Sequence, residues 1–86
     1  MEYDKEKFIE SYKLKNTILD MEFHSLKKRV VICLLRTKTA PLFYILGKAI
    51  CKSEKEFDNS AGEFWALEDA LNQVKAYEFY VWGNST

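Results

Sequence analysis

Few side chains in this sequence could do covalent or acid–base chemistry. His24, the single histidine, stands next to Ser25 and four residues after Asp20, and those three types make up a hydrolytic triad. Neighbouring residues on a strand point to opposite faces, so His24 and Ser25 are poorly placed to act as base and nucleophile. Cys33 and Cys51 are too few for a disulfide scaffold or a four-ligand zinc site, and His24 has no metal-binding neighbour in sequence. Glu54, Glu56 and Asp58 form an acidic loop that lacks the glycine and the closing glutamate of an EF-hand. Gly47, Gly62 and Gly83 are too scattered for a phosphate-cradling loop. The expectation is therefore no enzyme, no cofactor and no metal.

What remains is recognition. Three groups of residues could meet a partner: the acidic loop Glu54, Glu56 and Asp58; the aromatic end with Tyr80 and Trp82; and the basic residues Lys27, Lys28 and Arg29 with Arg36 and Lys38. Thirteen basic and thirteen acidic side chains cancel, so no global field draws the chain to nucleic acid or an anionic membrane. A weak nucleic-acid module built on the basic residues is the alternative, with affinity that falls steeply with salt. Large exposed aromatics such as Tyr80 and Trp82 are enriched at protein interfaces.

These groups must be held by a small fold. Eighty-six residues that are 48% hydrophobic suffice for a single globular domain with one core, marginal in stability. The start, MEYDKEKF, has no apolar signal-peptide core, and no apolar run approaches the ~20 residues of a membrane span, so a cytoplasmic protein without a membrane partner is expected.

Residues 3–15 read as a short helix capped by Asp4, with Tyr3 and Phe8 as a hydrophobic staple and Phe8, Ile9 and Tyr12 as its apolar stripe. Residues 17–24 alternate loosely and read as a strand with one wet face. The run 29–36, RVVICLLR, has the pattern of a central strand buried on both faces. A third strand spans 42–51, with Pro41 at its start, where no N–H is needed. A hairpin turning at 37–40 pairs residues whose numbers sum to about 77, which puts Cys33 near Tyr44 and keeps the two sulfurs apart.

The best-defined stretch is 47–71. Ser60 and Glu63 have capping-box spacing, with Asp58 as a rival N-cap. From there Phe64, Leu67, Leu71 and Val74 share one helix face, while Gly62, Ala66 and Ala70 form a row of small residues that lets a helix lie close to a sheet. Residues 76–82, AYEFYVW, read as a probable fourth strand.

The spacing of Gly47, Ala49, Cys51, Phe57, Asp58, Gly62, Ala66, Ala70 and Leu71 resembles a pattern of small uncharacterised bacteriophage and prophage proteins, G-x-A-x-C, then Phe-Asp, then G-x-x-x-A-x-x-x-A-L. It covers about 25 of the 86 residues. Where that pattern tends to place a basic residue before its last Ala, this chain has Asp69. The resemblance implies a phage or prophage origin, and small phage proteins of this size often bind and disable a host enzyme or defence complex. The order helix, three-stranded meander, helix is also that of double-stranded-RNA-binding domains. Those modules need a lysine-rich start to their last helix, and here it is acidic.

The sequence thus points to an α+β domain of helix, three-stranded antiparallel sheet and helix, with a probable C-terminal fourth strand, acting by binding. The leading expectation is a small phage-type accessory protein that inhibits or modulates a host protein complex, for instance an anti-CRISPR-type inhibitor whose acidic loop imitates phosphates. A structural homodimer is a third reading.

Overall fold

A computed structural model describes residues 3–84, with side chains described through residue 76. The elements run α1 (Lys5–Ser11), β1 (Ile18–Leu26), β2 (Val30–Thr37), β3 (Ala40–Ile50), a 3-10 turn (Glu54–Glu56) and α2 (Asn59–Asn84). This is an α+β fold with one antiparallel sheet in the order β1-β2-β3.

α1 begins where expected: the Asp4 carboxylate accepts from the Lys7 N–H, and the Tyr3 and Phe8 rings meet edge-on at 6.1 Å. It stops at Ser11, earlier than the sequence pattern implied. Lys13 takes a left-handed φ of 60° and its N–H turns back to the Glu10 carbonyl, the geometry of an αL cap. The chain that follows buries Leu14 in the core.

The β1–β2 connection is a tight turn closed by the Arg29 N–H on the Leu26 carbonyl. Its central residues, Lys27 and Lys28, have φ of 52° and 51°, as a type I′ turn demands. The β2–β3 turn is closed partly by the Thr37 hydroxyl, which accepts from the Ala40 N–H at 3.3 Å. Thr37 pairs with Ala40, so the turn sits where the sequence placed it. The register does not follow from it. Leu35 pairs with Ile45 and Cys33 with Gly47, because β3 bulges between the Thr37–Ala40 and Leu35–Ile45 pairs. The extra residues include Pro41, which has no N–H to give the ladder. Both cysteines are free thiols.

Side chains at Val31, Cys33, Leu35 and Thr37 point to the helix side of β2 and are buried, while Val30, Ile32, Leu34 and Arg36 on the other side are only partly covered. The expectation that β2 is buried on both faces is thus corrected. Both helices pack on one side, and the core consists of Ile9, Leu14 and the inward residues of β2 against Ala66, Leu67, Ala70, Leu71 and Val74. The small-residue row of α2 is its contact seam. A Cβ at Gly47 would lie 2.1 Å from the Ala66 carbonyl oxygen, and one at Gly62 would meet Val31 Cγ2. Tyr3 and Phe8 of the N-terminal segment close the other flank by packing on Phe64, with ring centroids 5.3 and 4.6 Å away. Lys5 joins them, 3.4 Å from Glu63 and 4.6 Å over the Phe23 ring.

Asp58, not Ser60, caps α2: its carboxylate accepts from the Ser60 and Ala61 N–H groups at 3.0 and 3.4 Å. Glu63 instead accepts from the Asn59 amide and pairs with Lys5, so no capping box forms. At its other end α2 continues through residues 76–82, where a fourth strand was expected. Extending an existing helix costs no new nucleation, and no Pro or Gly interrupts the chain between Val74 and Trp82. α2 also covers the outer edge of β3. Asp69 accepts from the Lys48 N–H at 3.0 Å, and the Gln73 amide donates to the Leu46 carbonyl at 2.7 Å. Among the described residues no helix is long and apolar enough to cross a membrane.

Candidate functional site

Because both helices take the same side, no element among the described residues packs on the other side of the sheet. Pairing lays its residues out in rows: Glu22, Leu34 and Leu46; His24, Ile32 and Lys48; Leu26, Val30 and Ile50. The centre of this face is aliphatic. Charge lies at its flanks, with Asp20 and Glu22 on β1 and Lys48 on β3. At the β2–β3 end the bulge lifts Leu42, Phe43 and Tyr44 into solvent, with exposures of 88, 72 and 58%. Ile50, at 67%, marks the opposite end. Scattered exposed aliphatics are ordinary, but a contiguous set on one sheet face marks an interaction surface.

One guanidinium ties this face together. Arg36 donates from Nε to Asp20 Oδ1 at 2.9 Å and from Nη2 to Oδ2, a two-pronged bridge from β2 to β1. Its Nη1 also donates to the Pro41 carbonyl at 3.3 Å, and its Cζ lies 5.5 Å from the Tyr44 ring centroid. The hydrogen bonds from Arg36 hold the Asp20 carboxyl below the usual carboxylate range.

The residues singled out from sequence fall elsewhere. Lys27, Lys28 and Arg29 sit at one end of β2 and Arg36 and Lys38 at the other, separated by roughly 20 Å of strand, so they form no single patch. Arg29 instead faces the acidic loop, with Nε 3.9 Å from Glu54 Oε1. Glu54 and Glu56 are exposed on the 3-10 turn, whereas Asp58 is engaged as the α2 cap. Glu56 and Asp58 rim a half-open cleft of about 280 Å³, floored by Val31 and Phe57 and walled by Trp65. Its rim also carries Arg29 and Lys52, so it favours neither sign of ligand. The side chains of Tyr80 and Trp82 lie outside the described ones.

The catalytic constellation does not assemble. His24 is on the bare face, 3.6 Å from Glu22, while the Ser25 hydroxyl is hydrogen-bonded to Asn59 on the helix side. Asp20 is bound to Arg36. Among the described residues no three His, Cys, Asp or Glu side chains are grouped to hold a metal ion.

The bare face was missed because its signal was read as burial: an apolar run flanked by arginines looks the same whether or not a second layer covers it. The exposed bulge left a fainter sign in Pro41 followed by Leu42, Phe43 and Tyr44 at the start of a strand. No family model matches the chain, and no curated protein and no solved structure matches it either.

Proposed function

We propose that this chain acts by binding a protein rather than by catalysis, as a small phage-type accessory protein in the host cytoplasm that modulates a host protein complex. The observation that carries the binding reading is the helix-free face of the sheet, aliphatic at Val30, Ile32, Leu34, Leu46 and Ile50 and continued by the lifted Leu42–Tyr44 segment. The phage setting and the host target are supported by the sequence pattern around Gly47 to Leu71 alone. The exposed Glu54 and Glu56 are a secondary contact on the same end of the molecule as Ile50. The basic residues support nucleic-acid binding poorly, since Arg36 is held by Asp20 and Arg29 faces Glu54.

The test is affinity capture from nuclease-treated host lysate, followed by rebinding of the purified partner to the wild type and to Leu46→Arg and Glu54→Lys/Glu56→Lys variants. Rebinding to the wild type that Leu46→Arg abolishes supports the face. Equal rebinding by Leu46→Arg rejects it as the contact, and a catch that vanishes with nuclease replaces the reading by nucleic-acid binding.

A further inference from the structure

We infer that the outer edge of β1 pairs with β1 of a second copy of this chain, antiparallel, to make one continuous six-stranded sheet. The edge is open. From Leu19 to Ser25 its outward N–H and C=O groups meet no hydrogen-bond partner among the described residues. α1 does not take them up, since it leans on α2, with Phe8 stacked on Phe64 at 4.6 Å. The strand also lacks the usual guards of an edge: ILDMEFHSL holds no lysine and no proline. The opposite edge of the sheet is closed at its middle by Asp69 and Gln73.

The occupant follows from the strand's own sequence. Regular β1 runs from Asp20, after the irregularity between Ile18 and Asp20, to Leu26, before the turn, and its middle residue is Phe23. A two-fold axis through Phe23, perpendicular to the sheet, pairs that whole stretch with its counterpart and keeps each face of the strand on its own side. Phe23 then meets Phe23, Met21 meets Ser25, and Glu22 meets His24 on both sides of the axis. Moving the axis to Glu22 would set two carboxylates face to face. Moving it to His24 would draw Lys27 and Lys28, both left-handed, into the ladder. Lys5, 4.6 Å over the Phe23 ring, reaches the axis with Glu63 3.4 Å away, so each ammonium arrives with its counter-ion. A second copy ends the sheet on a closed β3 edge at either side, whereas a foreign strand would leave its own far edge open. Seven paired residues share about six to eight backbone hydrogen bonds and little apolar area, so the pairing is reversible and micromolar. The two helix-free faces come to lie side by side and stay uncovered, so this pairing goes beyond the reading of that face and does not rest on it.

Sedimentation equilibrium of the purified chain from about 1 μM to 1 mM tests this, because that span brackets the expected dissociation constant. A monomer–dimer equilibrium is expected, and amide hydrogen exchange over the same range should show alternate amides of residues 20–26 gaining protection as the dimer fills. His24→Glu sets carboxylates opposite Glu22 at two places and is expected to weaken the dimer about tenfold. Glu22→Lys/His24→Glu opposes unlike charges again and is expected to bring it back to within about threefold of wild type. Both positions are exposed, and circular dichroism checks that the fold is kept. A monomer over the whole range overturns the proposal, as does a dimer whose β1 amides stay unprotected. A dimer indifferent to His24→Glu, or a loss that the double variant does not repair, overturns it as well.

Discussion

Gly47 lies directly beneath Ala66, so close that a methyl group on its Cα would be 2.1 Å from the Ala66 carbonyl oxygen and 2.7 Å from the Ala70 nitrogen. Backbone atoms of a helix cannot turn aside as a side chain does. Gly47→Ala is therefore expected to force α2 off the sheet and cost about 3 kcal/mol or more. Gly62→Ala meets the buried, β-branched Val31 side chain instead, an overpacking that offsets the gain of about 1 kcal/mol in helix propensity but leaves the backbone of the sheet and helix in place. Urea titration of the two variants should rank Gly47→Ala as much the more damaging; equal losses would mean the helix does not rest on Gly47.

Lys27 and Lys28 both occupy left-handed backbone, which costs a residue with a Cβ roughly 1–2 kcal/mol. Replacing the pair by Asn-Gly suits the type I′ turn and should raise stability by about 1–2 kcal/mol. A thermal melt showing no gain would count against the turn geometry.

Ser60 and Asp58 compete in the sequence for one role, and the structure gives it to Asp58. Both side chains fit the pattern, and only the path of the chain from Phe57 decides between them. Asp58→Ala should cost about 1 kcal/mol and Ser60→Ala less than about 0.5. The reverse order in chemical denaturation would restore the capping box.

The Tyr3 hydroxyl is buried with no hydrogen-bond partner among the described residues. Burial, reinforced by Glu63, pushes its pKa up to about 12. Tyr3→Phe removes the unsatisfied group and should leave stability unchanged or raise it by about 1 kcal/mol. A loss above that would reveal a partner for the hydroxyl.

Burial likewise pushes the Cys33 thiol up to about 11 from its ordinary 9.0. The unfolded chain releases this proton first as pH rises, so the folded state holds more protons between those values. The contribution is complete below pH 9 and is lost as pH climbs from 9 towards 11. Denaturation midpoints should fall over that window, and Cys33 should react with a thiol reagent at pH 8 only as fast as the protein unfolds, while half-buried Cys51 reacts in the native state. Rapid labelling of both thiols would contradict the buried site.

The elements that local chemistry determines were legible in the sequence: the Asp4 cap and Tyr3–Phe8 staple of α1, the three strands, and the Gly62–Ala66–Ala70 seam against the sheet. Features set by what lies around an element were not. Residues 76–82 have strand-like composition but inherit helix from the turn before them. Val30, Ile32 and Leu34 announce a buried strand, yet nothing local records that the second helix chose the same side as the first. The register slip in β3 follows from a bulge at Pro41 that a count from the turn cannot foresee.

Asp69 accepts from the Lys48 N–H, and Gln73 one turn later donates to the Leu46 carbonyl. A lysine at 69 could donate but not accept, so it could not silence that amide. An open strand edge invites copy after copy to add in the same direction, a ladder with no natural end. With the β3 edge occupied at its middle by its own helix, growth along that side is interrupted.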